Sequence, residues 1–342
     1  MTEIILHSGA ATELDTYVRQ HNNASAYHLS AWRAAVQQAY GHKALCWQAI
    51  NEQGDTVGVL PASEVRSPLG KHLCSLPFCD LGGPLADSPE IATQLAKAAA
   101  KYGKKLDLRC DAGHVNSVSE GTKVRMIGEL MDSSEALIAS YKPKLRSQIR
   151  KSEKNGLTAS IQVNSGAAIA DFFDVYAQNM LRLGSIPHAK QWFQAVQQHY
   201  GDDSFVALVF MDNKVVGAGL VLRVGNNAVI PWASTLADYN KLAPNMLLYW
   251  AIQAYLCDSG ATQFDFGRSS YGEGTFRFKK QWGAQPHVLD WQTWTASGQQ
   301  PKAETGPGLG AKVRPIIEKT WQKLPLSVSN SLGGTLRRYI TL

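Results

Sequence analysis

Hydrophobic positions along this chain alternate between a helical and an extended spacing, and the order of that alternation nearly repeats. In the first half, Ser30 precedes Trp32, Ala35, Val36 and Tyr40 on one helical face, which predicts a helix capped by that serine. Apolar runs at 44–50 and 57–65 flank a polar turn at 51–55 and predict an antiparallel hairpin. Over 84–102, Ile91, Leu95 and Ala99 recur every four residues and predict an amphipathic helix; strands follow at 105–110 and 124–131.

The second half opens on a helical pattern over 133–155, with Ser133 as N-cap, Gly156 past its end and Pro143 dividing it in two. A strand at 157–163 leads to helices at 167–183 and 190–200. A second hairpin pairs 205–211 with 215–224 across Asp212-Asn213. A strand at 227–234, a helix from Pro244 to Ser259 and a strand at 261–266 follow, and 287–294 is expected to close the sheet. Both halves read helix, antiparallel strands, helix, strand. The expected fold is therefore α/β with mixed sheets, a duplicated unit with a cleft between its copies, divided at 1–140 and 141–295. Residues 296–342 are read as a Gly/Pro/Gln/Thr-rich linker over 296–311 and a helical tail, 313–323, that docks back with no assigned function.

Composition narrows the function classes. At 342 residues, with 44% hydrophobic and 18% charged, the chain can bury two cores. A net charge of +6 excludes wholesale coating of nucleic acid and leaves room for a local basic patch. The five cysteines are scattered, with no Cys-x-x-Cys pair and no zinc spacing, so reduced core thiols and no metal are expected. Met1 to His7 is too short and polar for a signal peptide, and no apolar run reaches the ~18 residues that span a bilayer. A soluble, cytoplasmic protein is the expectation.

The densest candidate chemistry lies in Asp265-Phe-Gly-Arg-Ser-Ser-Tyr-Gly-Glu-Gly-Thr-Phe-Arg-Phe-Lys-Lys-Gln-Trp-Gly283. Gly267, Gly272 and Gly274 permit sharp turns or close approach of backbone. Arg268, Arg277, Lys279 and Lys280 bring positive charge, and Tyr271, Phe276, Phe278 and Trp282 flat apolar surface, which suits a bulky anion. The segment Lys142–Lys154 holds six basic residues against Glu153, with Arg146, Arg150 and Lys154 on one face; it reads as a solvated face or as an anion- or RNA-contacting strip. Ile230-Pro-Trp-Ala-Ser-Thr235 ends a strand ahead of the helix at Pro244. Asn245 sits in that helix's first turn, where backbone N–H groups can receive phosphate or carboxylate. Arg182 and His188 bracket a loop, and Asp80 lies beside two glycines, fit to bind an amine or hydroxyl or simply to form an Asx turn. Asp265-Phe-Gly has no kinase context, and no Gly-x-Ser-x-Gly elbow or phosphate-binding Gly-x-x-x-x-Gly-Lys loop occurs.

Four segments carry a family resemblance: Leu145-Arg-Ser-Gln-Ile-Arg-Lys-Ser-Glu-Lys-Asn-Gly156, Pro231-Trp-Ala-Ser234, Asn245-Met-Leu-Leu-Tyr-Trp250, and Asp265-Phe-Gly-Arg268 through Phe278-Lys-Lys-Gln-Trp-Gly283. Over residues 25–295 the chain resembles the FemAB-like branch of the GNAT superfamily. Tyr40-Gly-His42 and Pro77-Phe-Cys-Asp80 resemble the members associated with exosortase/PEP-CTERM exopolysaccharide systems. The resemblance implies two tandem GNAT-like subdomains and transfer of an acyl or aminoacyl group to an amine through a tetrahedral oxyanion. It implies that Lys279, in the Phe278-Lys279 motif, meets developing negative charge or the donor's terminal phosphate-ribose. Arg182 falls near the acceptor phosphates, while Arg268, Tyr271, Trp232, Ser234, Asn245, His188 and Phe278 line the substrate cleft. Asp80 is the outside candidate for a base.

Expected co-substrates are acyl-CoA or aminoacyl-tRNA, with no tightly bound cofactor. Expected partners are a sugar- or nucleotide-linked envelope precursor, tRNA and, peripherally, membrane-bound polysaccharide machinery. The chain departs from acyl-CoA-using GNAT enzymes in one place: Ala237-Asp-Tyr-Asn-Lys-Leu-Ala-Pro-Asn245 carries no glycine where they have a glycine-bearing pyrophosphate loop, which weighs against CoA. It also lacks the coiled-coil insertion of some cross-bridge enzymes. The rival readings are an acetyl-CoA-dependent N-acetyltransferase of an amino sugar and a catalytically silent GNAT-like protein that binds glycan or RNA.

Overall fold

Strand alternation and helix periodicity resolve, in the computed structural model, into helices on both faces of one long sheet; the structure describes residues 2–68, 70–114, 118–300 and 309–341. The first half runs β1 (Glu3–Ser8), α1 (Asp15–Gln20), α2 (Ser30–Tyr40), β2 (Lys43–Ile50), β3 (Thr56–Ser67), β4 (Gly70–Cys74), β5 (Leu85–Ala86), α3 (Pro89–Gly103), β6 (Lys105–His114) and β7 (Lys123–Glu129). Then come α4 (Ser134–Ser140), α5 (Pro143–Lys154), β8 (Leu157–Val163), α6 (Gly166–Leu183), α7 (Lys190–Tyr200), β9 (Ser204–Met211), β10 (Lys214–Val224) and β11 (Asn227–Thr235). The chain continues through α8 (Pro244–Asp258), β12 (Gln263–Ser270), α9 (Gly274–Lys280), β13 (Gln285–Thr295), β14 (Gly298–Gln300), α10 (Leu309–Trp321) and α11 (Leu326–Arg337).

One helix start differs from the sequence reading. Ser30 is the first residue of α2 and not its cap; the Asp15 carboxylate accepts both its N–H, at 2.8 Å, and its hydroxyl, at 2.6 Å, so the cap comes from a preceding helix. The helix expected within 84–102 runs from Pro89 to Gly103 behind an N-cap at Ser88, and Leu85–Ala86 ahead of it pair with β3 as β5. Pro143 does split the next pattern: α4 ends at Ser140 and α5 starts on the proline, where its missing N–H costs nothing. Gly298–Gln300, expected as linker, forms β14 on β13; residues 301–308 of that expected linker lie outside the described residues.

The sheet order is β1-β2-β3-β4-β6-β13-β7-β12-β11-β10-β9-β8, with β5 on β3 and β14 on β13. The last long strand, β13, therefore does not close the sheet but lies near its middle. It pairs antiparallel with β6 on one side and β7 on the other, while β7 in turn pairs with β12. The two halves are stitched by this exchange of strands. A period-two pattern says which face a strand buries and nothing about its neighbour, so the exchange is invisible in the sequence.

Three cores fill the faces. One packs α3 on the first half's strands, and a second packs α4, α5 and α8 on the second half's. The third crosses between the halves through α2, α6 and α7, with Trp32 of α2 wholly buried beside Trp192 of α7 and Trp232 of β11. That aromatic cluster is the floor on which the candidate site stands.

Candidate functional site

The site begins where two parallel strands part. β11 and β12 pair over only three positions, Asn227 with Gln263 through Val229 with Asp265, although both strands continue. The cause lies in the Asp265-Phe-Gly turn. The Asp265 Oδ1 accepts the Gly267 N–H at 2.8 Å, Gly267 adopts a φ of +75°, and the register against β7 slips between Asp265 and Arg268. A bulge of this kind bends its strand and strips ladder partners from backbone carbonyls. Lys279, from α9, supplies new ones: its Nζ donates to the carbonyls of Gly267 at 3.0 Å and Arg268 at 2.8 Å.

The electrostatics follow from burial. Desolvation pushes the Lys279 ammonium down to about 8, opposed by the Asp265 and Asp80 carboxylates. Desolvation likewise raises the Asp265 carboxyl, and Arg125, with Nε 3.4 Å away, holds it down. Beyond the bulge, Arg268 lies 3.3 Å from the Asp80 carboxylate and 5.4 Å over the Trp291 ring. Trp291 donates its indole N–H to the Asp80 carbonyl at 3.0 Å, so the Asp80 loop and the Arg268 guanidinium are fixed together.

Two cavities meet at the parted strands. The larger, about 720 Å³, is lined by Trp232, Ser234, His188, Arg268 and Arg337, with Met180, Ile317 and Ile340 as apolar wall. The smaller, about 460 Å³, is lined by Arg182, Asn179, Gln148 and Asn245 at the start of α8. Ala233 and Ser234 line both. A polar chain crosses between them: Arg182 donates to the Asn179 side-chain Oδ1 at 2.9 Å, and the Asn179 Nδ2 donates to the Ser234 hydroxyl at 3.2 Å. The glycine-free stretch before α8 still makes its tight turn, because Ala243 takes the left-handed conformation at φ +63°.

The structure gathers Arg268, Trp232, Ser234 and His188 around the larger cavity and Arg182, Asn245 and Ser234 around the smaller. Asp80 and Lys279 stand behind Arg268 and set its position. Tyr271 and Phe278 are not brought to either cavity: Tyr271 packs on Phe276 of α9 at 4.5 Å, and Phe278, itself on α9, packs on Tyr249 of α8 at 5.1 Å. His188 is buried and strongly lowered by desolvation. Its Nε2 accepts the Arg337 Nε–H at 3.2 Å and its Nδ1 lies 2.6 Å from the Tyr40 hydroxyl. Both ring nitrogens are engaged, so this imidazole is a neutral strut and not a base for an incoming amine. Lys142 at the N-cap of α5 and Lys144, Arg150, Lys151 and Lys154 on it face solvent, while Gln148 reaches the smaller cavity.

Sequence reasoning missed the tail's part. Arg337 of α11 and Ile317 and Glu318 of α10 help wall the larger cavity. The tail is tied down by the Thr341 carbonyl, which accepts from the Phe78 N–H and from Arg109, each at 2.8 Å. Gly333 makes the contact: a Cβ there would stand 2.5 Å from Pro187.

Comparison with known proteins agrees with this architecture. Residues 139–280 match the family profile of the acetyltransferase (GNAT) domain. No curated protein matches the chain. The solved structure of FemX superposes with a TM-score of 0.65 at 16% identity, covering 84% of this chain and 95% of that one. The structure of L-PGS from Bacillus licheniformis gives 0.52 at 11% identity, with 97% of each chain covered. A tandem GNAT protein from the clavulanic acid biosynthesis pathway gives 0.52 at 11% identity, covering 88% of this chain and 100% of its own. The expected fold, α/β with tandem GNAT-like units, is the fold found.

Proposed function

We propose that the chain is an acyltransferase that moves an acyl or aminoacyl group from an activated donor in the smaller cavity to an amine in the larger one. One observation carries this reading: two cavities of different chemistry share a single wall, Ala233–Ser234, at the parted strands. The start of α8 offers N–H groups and a positive dipole end to donor phosphates, beside Arg182 and Asn245. Arg268 and Arg337 make the acceptor side cationic while Trp232 and Met180 give it apolar surface, which suits an anionic, sugar- or nucleotide-linked envelope or exopolysaccharide precursor. Attack then occurs across the shared wall, where the two reactants are held in register.

Acyl-CoA and aminoacyl-tRNA both remain donors of the right chemistry. The left-handed Ala243 favours CoA more than the glycine-free sequence suggests, since the backbone turn is kept. The exposed basic face of α5 favours a longer polyanion. Thermal unfolding with acetyl-CoA, longer acyl-CoA and charged tRNA separates them, because a donor at a hundred times its Kd adds about 2.7 kcal/mol of stability. Asn245→Asp, which sets a negative charge at the helix start, is expected to weaken donor binding about tenfold. It should leave acceptor binding unchanged. If no donor at millimolar concentration raises the melting temperature, or Asn245→Asp weakens only the acceptor, the two-cavity reading fails.

A further inference from the structure

The tail beside the larger cavity has a surface that water alone does not explain. Val328, Leu332 and Leu336 on α11, with Ile340 just past its end, recur every four residues and stand 38%, 46%, 42% and 37% exposed. The adjoining face of α11, one residue on at Ser329, Gly333 and Arg337, packs on the body. The flanks of a docked helix face are normally covered by the body or turn polar, and this one does neither. Ile316 of α10, in the same tail, is 67% exposed. Single exposed apolar residues are ordinary; a stripe of them on a docked helix is not.

Charge says what covers it. Residues 309–342 hold six basic side chains and one acid, so nearly all of the chain's net charge of +6 resides in this tenth of its length. Lys319 on α10 and Lys323 just past it are exposed in the same tail. A second copy of the chain would bring like charges face to face across a two-fold axis. Among the described residues no helix is long and apolar enough to cross a membrane. Exposed apolar side chains in a tail that also exposes lysines match the boundary of an anionic bilayer, acyl chains below and phosphates above.

We propose that the α10–α11 tail is an interfacial docking element that seats the protein on an anionic lipid bilayer, with the larger cavity opening toward the headgroups. Ile317, Arg337 and Ile340 belong both to this tail and to the cavity wall, so docking places that cavity at the membrane surface. Which substrate enters there rests on the function proposed above; the docking itself does not.

Sedimentation with phosphatidylcholine vesicles, with and without about 30% phosphatidylglycerol and with no substrate present, tests the docking directly. The protein is expected to bind the anionic vesicles and to bind them about tenfold more weakly in ~0.5 M salt or when the anionic lipid is omitted. Leu332→Asp with Leu336→Asp should weaken binding at least about tenfold while leaving the melting temperature and turnover of a water-soluble acceptor unchanged. Lys319→Glu with Lys323→Glu keeps the apolar stripe and should reduce binding to the anionic vesicles only. Wild-type protein that ignores anionic vesicles overturns the proposal. So does a wild-type dimer that the two leucine substitutions convert to monomer in sedimentation velocity. Since no donor or acceptor is present, failure here leaves the transferase reading standing, and the reverse also holds.

Discussion

Lys279→Met is expected to lower kcat/KM for transfer about a hundredfold, roughly 2.7 kcal/mol of transition-state stabilisation, while changing stability at pH 7 by no more than about 2 kcal/mol. Methionine preserves the buried volume but abandons the carbonyls of Gly267 and Arg268. Leaving two carbonyls unpaired costs about 1–3 kcal/mol for each one that water cannot reach. Against that, the substitution removes a buried ammonium whose displacement from 10.5 to about 8 is itself worth roughly 3 kcal/mol. The two effects nearly offset in stability. They do not offset in rate, because the bulge that aims Arg268 has lost its brace.

The pH dependence has a definite sign. Lys279 releases its proton near 8 in the folded protein and near 10.5 in the unfolded chain. Between those values the unfolded state binds the additional proton, so stability rises with pH across that window, and below about 8 the full cost of the buried charge is present. The difference in unfolding free energy between wild type and Lys279→Met, measured in urea from pH 7 to 10, should move in favour of wild type by up to about 3 kcal/mol. The neutral amine still has two hydrogens for the two carbonyls. A positioning role also predicts that Lys279→Met and Arg268→Met are not additive, the double variant being little slower than either alone. Additive losses, or an unchanged rate in Lys279→Met, would sink it.

What could be read in advance follows from how local each signal is. β8 and α7 run as the apolar rhythm predicts, because each is bounded by its own stop signals: Gly156 at φ +88° before β8 and Gly201 after α7. The position of β13 was not legible, since strand pairing at such sequence distance is decided by the assembled sheet. Arg268 and Lys279 were visible as charge beside glycine. Their division of labour was not, because it depends on which carbonyls the bulge at Gly267 uncovers. Arg337 was invisible for a different reason. Nothing in Leu336-Arg-Arg-Tyr339 distinguishes an arginine that braces a buried histidine from one that faces solvent.

Trp32→Ala is expected to destabilise the protein by about 4 kcal/mol, within the 3–5 kcal/mol range for deleting a buried aromatic ring. Trp32 is wholly buried and donates its indole N–H to the Pro77 carbonyl at 3.0 Å. Its ring meets Trp192 edge-on at 5.1 Å and stacks on Trp232 at 5.9 Å, an interplanar angle of 12°. α2 belongs to the first half, while Trp192 and Trp232 belong to the second. The cavity left behind therefore opens between the halves and under the acceptor wall. Trp32→Phe keeps most of the ring and loses the hydrogen bond, so about 1–2 kcal/mol is expected there. Because β7 and β13 still stitch the halves, urea unfolding of Trp32→Ala should remain one transition by fluorescence and by circular dichroism. At a temperature where the variant stays folded, the slackened Trp232 should raise KM for the acceptor more than it lowers kcat. A loss below about 2 kcal/mol, outside the range for such a deletion, would show that the cluster is not the weld between the halves. Two separate transitions would show that the exchanged strands are not.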